Sequence, residues 1–283
     1  MGRVRGFVRL MRPVNCVMMG FAVLVGAVLA EPQPQSLDWL RLLYGFLTGF
    51  SLTAASMAVN DYYDRVIDAI NEPSRPIPSG LVRPREALAF SLALSAVGLG
   101  FSYLSGPICL VVAVFAWAIM LAYVTAGKRS GFPGNLLVST CVSIPFVYGC
   151  LIAVGRLPLS VMFFTLMVFL SNTGREVTKG IVDVRGDAAE GVKTLAVVYG
   201  ERVAAFAAAV FYLLAVSLTP IPWLLGIVSF WYLPFVLAAD AGFVSSSVLL
   251  LRDYSRESAR RVKRLVLAWF TLGFVSFILG VLG

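Results

Sequence analysis

There is no histidine in this chain of 283 residues. That absence removes the usual zinc ligand set, the Ser-His and Cys-His nucleophile pairs and a histidine general base. Charge is also scarce, at 13% of residues against roughly 25% in soluble domains. Cysteine is limited to Cys16, Cys109, Cys141 and Cys150, all in apolar runs with no CxxC pairing, so each reads as a small buried hydrophobe. Hydrophobic residues fill 59% of the sequence, and the mean hydropathy is +0.87. This is the composition of an integral membrane protein. A net charge of +8 invites a nucleic-acid reading, but most of the basic residues lie in short segments between apolar runs, where membrane topology accounts for them.

A hydrocarbon core about 30 Å thick needs about 20 apolar residues as a helix. Such runs occur at 14–30, 40–60, 87–105, 108–126, 134–154, 158–178, 202–219, 234–251 and 264–282. The expectation is an all-α, polytopic helical bundle of about nine transmembrane helices forming one domain over 1–283, with cytoplasmic loops capping a central cavity. The shorter apolar piece from Pro222 to Trp231 is expected to break rather than continue a helix, because prolines flank it. The first span reads as an uncleaved helix. With nine spans and the N-terminus inside, every Lys and Arg except Arg41 and Arg156 falls on the cytoplasmic side, as the positive-inside rule requires.

The acidic residues other than Glu31 and Asp38 outside and Asp240 within a span follow the same side, and there they are ordered. If the second span continues as a helix through Asp68, a rotation of about 100° per residue puts Asn60, Asp61, Asp64 and Asp68 on one face. The sixth span ends in SNTGREVTKGIVDVRGD, residues 171–187, where Asn172, Arg175, Glu176, Lys179, Asp183 and Asp187 likewise share a face. An amphipathic helix end with i,i+4 ion pairs would explain one such segment. It does not explain two, each with carboxylates four residues apart on the same side of the membrane.

Gathered carboxylates repel one another unless a cation joins them, and oxygen ligands without histidine or thiolate select a hard ion. Mg²⁺ is usually held by a few carboxylates while substrate phosphates complete its shell. Arg65, Arg75, Lys128, Arg129, Arg175 and Lys179 lie close in sequence and suit phosphate oxygens. The constellation reads as a magnesium-diphosphate site at the cytoplasmic mouth of the bundle. A prenyl diphosphate fits such a site in a bilayer, with its head at the metal and its tail between apolar helices. Charge stabilisation of the leaving diphosphate would let the allylic C–O bond ionise. Tyr62, Tyr63, Tyr123 or Phe169 could stabilise the resulting cation, by roughly 0.5–2 kcal/mol each if suitably placed.

These residues resemble the UbiA superfamily of intramembrane prenyltransferases, over nearly the whole chain. Asn60-Asp61-x-x-Asp64-x-x-x-Asp68 is similar to that family's first aspartate motif, Arg75-Pro76-Ile77-Pro78-Ser79-Gly80 to its following loop, and Asp183-x-x-x-Asp187 to its second motif. Gly191-x-Lys193-Thr194-Leu195 is similar to the segment after that motif. The resemblance implies Mg²⁺ as cofactor, with Asn60, Asp64, Asp68, Asp183 and Asp187 as metal ligands and the four aspartates as the catalytic set. It implies diphosphate contacts for Arg65, Lys128 and Lys179; Arg75 either joins them or fixes its proline-stiffened loop, and Tyr123 is placed with the substrate. Asp61 is a weaker metal candidate on the same face. The segments MRPVNCVMMGFAVLVG, KRSGFPGNLLVS and REVTKGIVDVRGD are most similar to an archaeal branch of the family. That resemblance implies transfer of a geranylgeranyl group from geranylgeranyl diphosphate to the sn-2 hydroxyl of geranylgeranylglyceryl phosphate in ether-lipid synthesis.

Two other readings stand beside it. Prenylation of an aromatic acceptor such as 4-hydroxybenzoate would use the same donor chemistry. A transporter or channel would instead spread polar residues through the bilayer depth, whereas here Asp240 alone sits mid-span, and no role is assigned to it.

Overall fold

The computed structural model describes residues 2–283, without the side chains of Ile67, Ile70 and Asn71. Among the described residues every regular element is helical: α1 (Gly2–Met11), α2 (Pro13–Ala30), α3 (Trp39–Asn71), α4 (Pro84–Ser105), α5 (Pro107–Thr125), α6 (Phe132–Val154), α7 (Leu159–Ala189), α8 (Leu195–Tyr199), α9 (Glu201–Leu218), α10 (Pro220–Leu224), α11 (Tyr232–Arg252) and α12 (Arg256–Leu282). Short 3-10 turns lie at Pro34–Ser36 and Gly127–Ser130.

Eight of these segments are long and apolar enough to cross a membrane. The remaining expected span is α7, which has 31 residues and is apolar only in its first part, before Ser171, Asn172, Arg175 and Glu176. Both helices that must outrun the bilayer to carry the polar faces do so, α3 reaching Asn71 and α7 reaching Ala189. Local chemistry sets their ends. Asp38 caps α3 by accepting from the Arg41 backbone N–H at 3.1 Å, and Pro73 follows its last residue closely. Pro158 precedes α7, and Gly191, at φ 69, turns the chain away after it. The proline-flanked piece breaks as expected, into α10 and a turn.

The chain divides into two compact units, Met1–Thr125 with Ile144–Arg156, and Ala126–Ser143 with Leu157–Gly283. In the first, α3 packs against α1, α2, α4 and α5. Lipid tails are as apolar as leucine, so close approach and polar contacts must supply the helix association. A Cβ on Gly26 would strike the Phe146 carbonyl, which makes glycine the residue that lets α2 and the end of α6 touch. The Tyr148 hydroxyl donates to Ser102 Oγ at 2.9 Å, and Ser91 Oγ donates to the Ala55 carbonyl at 2.9 Å. A smaller cluster of Leu10, Ala58, Ile77, Val82 and Ala87 seats α1 and the 72–82 loop on α3.

In the second unit α7 packs against α8, α9 and α12 around Val177, Ile181, Ala208, Tyr212, Leu250 and Val262. Gly174 lies against the Tyr212 ring, and the hydroxyls of Thr178 and Tyr212 are 2.9 Å apart. Asp240 accepts from Thr219 Oγ1 at 2.7 Å, and the Tyr232 hydroxyl donates to the Thr219 carbonyl at 2.9 Å. The mid-span carboxylate therefore ties α11 to the proline break after α9.

Candidate active site

Each unit carries one of the two polar helix faces. In the first unit, Asn60 Nδ2 donates to Asp64 Oδ2 at 2.9 Å, so these two side chains meet one turn apart. Asp61, Asp64 and Asp68 are all buried. Charges in that position need partners, and basic groups from the surrounding chain supply them for Asp61 and Asp68. Arg12 Nη2 lies 2.6 Å from Asp61 Oδ1, and Arg75 Nη1 lies 2.6 Å from Asp68 Oδ2 and 3.6 Å from Asp61 Oδ1. Burial works against the Arg75 charge, but the Asp68 hydrogen bond and the Asp68 and Asp61 carboxylates outweigh it and hold the guanidinium even more firmly protonated than usual. The loop bearing Arg75 is itself ordered by Arg75 N–H to the Glu72 carbonyl, 2.9 Å, by Ser79 N–H to the Arg75 carbonyl, 3.0 Å, and by Arg9 donating to the Ser74 carbonyl, 3.0 Å.

Arg65 is turned differently. Its guanidinium donates to the Tyr62 carbonyl at 2.7 Å and lies 4.6 Å from the centre of the Tyr62 ring. Tyr62 in turn meets Tyr63 edge to face. Tyr123 is half-buried in the last turn of α5.

In the second unit, Glu176 is flanked by Arg175 Nη1 at 3.2 Å and Lys179 Nζ at 3.4 Å. Arg175 Nε is buried with no hydrogen-bond partner, which leaves a cationic donor for an anion. Asn172 and Thr173 both donate to Ser139 Oγ, at 3.1 and 2.9 Å, and this fixes the start of the polar stretch against α6. Asp183 and Asp187 are half-buried one turn apart. Burial, and then the neighbouring Asp183 carboxylate, push the Asp187 carboxyl up to about 6, against the pull of Lys179 and Lys128. Lys128 sits on the 3-10 turn Gly127–Ser130, which is joined to the 191–194 segment by Lys193 N–H to the Arg129 carbonyl at 3.5 Å. Gly131, at φ 73, is required there, since a Cβ would collide with the Lys193 carbonyl.

The structure thus brings Asn60 to Asp64, Asp61 and Asp68 to Arg75, and Lys128 and Lys179 to the surroundings of Asp187. Arg12 escaped the sequence reading, because a helical wheel drawn on α3 says nothing of which arginine from another segment reaches it. Its one signal was position, directly before Pro13 at a helix junction.

A metal ion needs several donor groups. Among the described residues no three acidic, thiol or imidazole groups cluster closely enough to hold one unaided. The donor chemistry nonetheless suits Mg²⁺: oxygen ligands only, a carboxylate pair on each helix, and cationic groups beside each pair. Mg²⁺ is commonly bound through one or two carboxylates and completed by substrate phosphates and water.

Comparison with known proteins identifies the lineage. A model of the UbiA prenyltransferase family matches residues 19–279. The chain belongs to the UbiA prenyltransferase family. That makes it a multi-pass membrane enzyme of prenyl transfer. Digeranylgeranylglyceryl phosphate synthase of Methanopyrus kandleri is similar to this UbiA protein, with 37% identity over 279 residues, 99% of this chain and 100% of that one. A solved structure of a digeranylgeranylglyceryl phosphate synthase, 29% identical, covers 100% of this chain and 99% of that chain with a TM-score of 0.88. A UbiA homologue from Archaeoglobus fulgidus, solved with GPP and Mg²⁺ bound, has the same fold at 16% identity, with a TM-score of 0.68 over 96% of this chain and 99% of that one.

Proposed function

We propose that this UbiA protein transfers a geranylgeranyl group from geranylgeranyl diphosphate to the sn-2 hydroxyl of geranylgeranylglyceryl phosphate, with Mg²⁺ as cofactor. The observation that carries the choice of acceptor is the near full-length similarity, at 37% identity, to a relative named digeranylgeranylglyceryl phosphate synthase. The metal is inferred from the donor set of the two polar faces.

In this reading Asn60, Asp64 and Asp68 on α3 and Asp183 and Asp187 on α7 are Mg²⁺ ligands, and both polar faces serve prenyl transfer. Bound Mg²⁺ would supply Lewis-acid charge to the diphosphate oxygens and so weaken the allylic C–O bond. Lys128, Lys179 and Arg175 bind the same oxygens and offset the charge that develops on the leaving group. Arg65, held on Tyr62, contributes at longer range unless it turns. Tyr123 and Tyr62 offer ring faces to the allylic cation. The allylic C–O bond breaks with its electron pair leaving on the diphosphate, the acceptor hydroxyl oxygen then bonds the cationic carbon, and the hydroxyl proton passes to solvent or to the departing diphosphate. Both units work as one catalytic domain, a reading supported by the family match running through both of them. The N-terminus and the polar faces lie on the cytoplasmic side, a reading supported by the distribution of Lys and Arg.

The test is a competition assay. Purified protein is given labelled geranylgeranyl diphosphate and Mg²⁺ with equal amounts of geranylgeranylglyceryl phosphate and 4-hydroxybenzoate. Label in the digeranylgeranyl ether lipid is the expected result. Label on the aromatic acid alone refutes the acceptor.

A further inference from the structure

Asp61 stands among the metal-ligand candidates by sequence, but the structure gives it a different set of neighbours. Its carboxylate is only 4% exposed and is gripped by Arg12 at 2.6 Å. Arg12 adopts a left-handed backbone conformation, φ 52, the one non-glycine residue among those described to do so. A bulky residue is rarely found there, and such strain persists only where the surroundings enforce it. Pro13, which opens α2, and the ion pair to Asp61 both act on this residue.

Arg75 holds the second clue. Its Nη1 bonds Asp68 Oδ2 at 2.6 Å, on one of the proposed metal ligands, while Asp61 Oδ1 waits 3.6 Å from the same nitrogen. The Arg75 backbone is fixed at both its N–H and its carbonyl, so the side chain alone can move. Its exposure, 32%, leaves room for that movement. A cation already occupies the Asp68 carboxylate, and a second acceptor that the metal does not need lies about one ångström beyond its bond.

We propose that Arg75 is the resident counter-cation of the first polar face and that Asp61, fixed by Arg12, is the carboxylate to which Arg75 transfers when a divalent cation takes Asp68. Asp61 is then a positioning residue, outside the metal shell. It keeps the displaced guanidinium beside the metal, where it is ready for a phosphate oxygen. This rests on the reading of Asp68 as a metal ligand made above.

Opposite effects on metal affinity follow from two changes in one ion network. Arg75→Gln removes the competitor for Asp68. Asp61→Asn removes the place to which the competitor retreats, so Arg75 stays on Asp68. A partly exposed ion pair is worth a factor of about two to five in affinity.

The experiment measures Mn²⁺ binding to the full-length, detergent-purified protein by electron paramagnetic resonance, with and without inorganic diphosphate. Arg75→Gln is expected to tighten Mn²⁺ binding about threefold, and Asp61→Asn to weaken it about threefold. A purely structural role for the network moves both variants downward, or neither, and either result overturns the proposal. If Asp61→Asn does not elute as a folded species, Arg75→Gln decides alone, and unchanged or weaker binding overturns it. If the parent protein binds no Mn²⁺ under either condition, the metal site falls and the proposal falls with it.

Discussion

Asp240 and Asp64 are both carboxylates on helices embedded in apolar sequence, yet they differ in what surrounds them. Asp240 accepts one hydroxyl bond, from Thr219, which an amide oxygen can accept equally well. Asp240→Asn is therefore expected to keep transfer activity within about twofold of the parent, because the hydrogen bond survives. A loss of a hundredfold in a labelled-donor assay would give Asp240 a chemical role. Tyr212 is a second residue whose role is confined to packing. Its hydroxyl meets Thr178, and Thr178 retains a bond to the Gly174 carbonyl at 2.8 Å when that partner is lost. Tyr212→Phe should cost about 1 kcal/mol in thermal unfolding of the detergent-purified protein and leave the Mg²⁺ dependence of transfer unchanged.

At the scale of elements, the decisive property is that α3 and α7 continue as helices beyond their apolar parts. This was legible in the sequence: the spacing of Asn60, Asp64 and Asp68, and of Asp183 and Asp187, makes sense only on a helix. The short helices were not. Gly2–Met11 forms α1, but the search for apolar runs passes over a segment with four arginines in and beside it. What holds α1 is tertiary: Leu10 is buried with Ile77 and Val82, and Arg3 pairs with Glu86 at 2.8 Å. The turn that carries Lys128 was equally silent in sequence, because its shape depends on the collision that Gly131 avoids with the Lys193 carbonyl. Gly131→Ala should displace that turn. The expected outcome is roughly 1–3 kcal/mol of destabilisation, from forcing a Cβ into positive φ. The donor KM should rise by about tenfold if Lys128 supplies one charge-assisted bond to diphosphate. A normal donor KM in the folded variant would remove Lys128 from the diphosphate contacts.

At the scale of the whole molecule, eight helices are long and apolar enough to cross a membrane, and α7, the ninth span expected from the sequence, is apolar only before Ser171. The orientation proposed from Lys and Arg can be checked independently of catalysis. Gln35 and Arg85 are both exposed, and the sequence places them on opposite sides of the membrane. In intact cells, Gln35→Cys is expected to react with a membrane-impermeant maleimide and Arg85→Cys only after permeabilisation. The native cysteines add little background, since Cys16, Cys109 and Cys150 are buried and Cys141 is half-buried. The reverse labelling pattern would invert the topology.

The central claim is that the carboxylates at the ends of α3 and α7 make prenyl transfer depend on Mg²⁺. The most direct measurement is kcat/KM for labelled geranylgeranyl transfer across a Mg²⁺ titration, in the parent protein and in Asp64→Ala and Asp183→Ala, each first shown to elute from detergent size exclusion as the parent does. The parent should turn over only with the metal present, and each variant should lose about a hundredfold or more at every Mg²⁺ concentration, in line with the loss of a metal ligand. Turnover near the parent level in either variant, or full activity of the parent in chelator, would contradict the account.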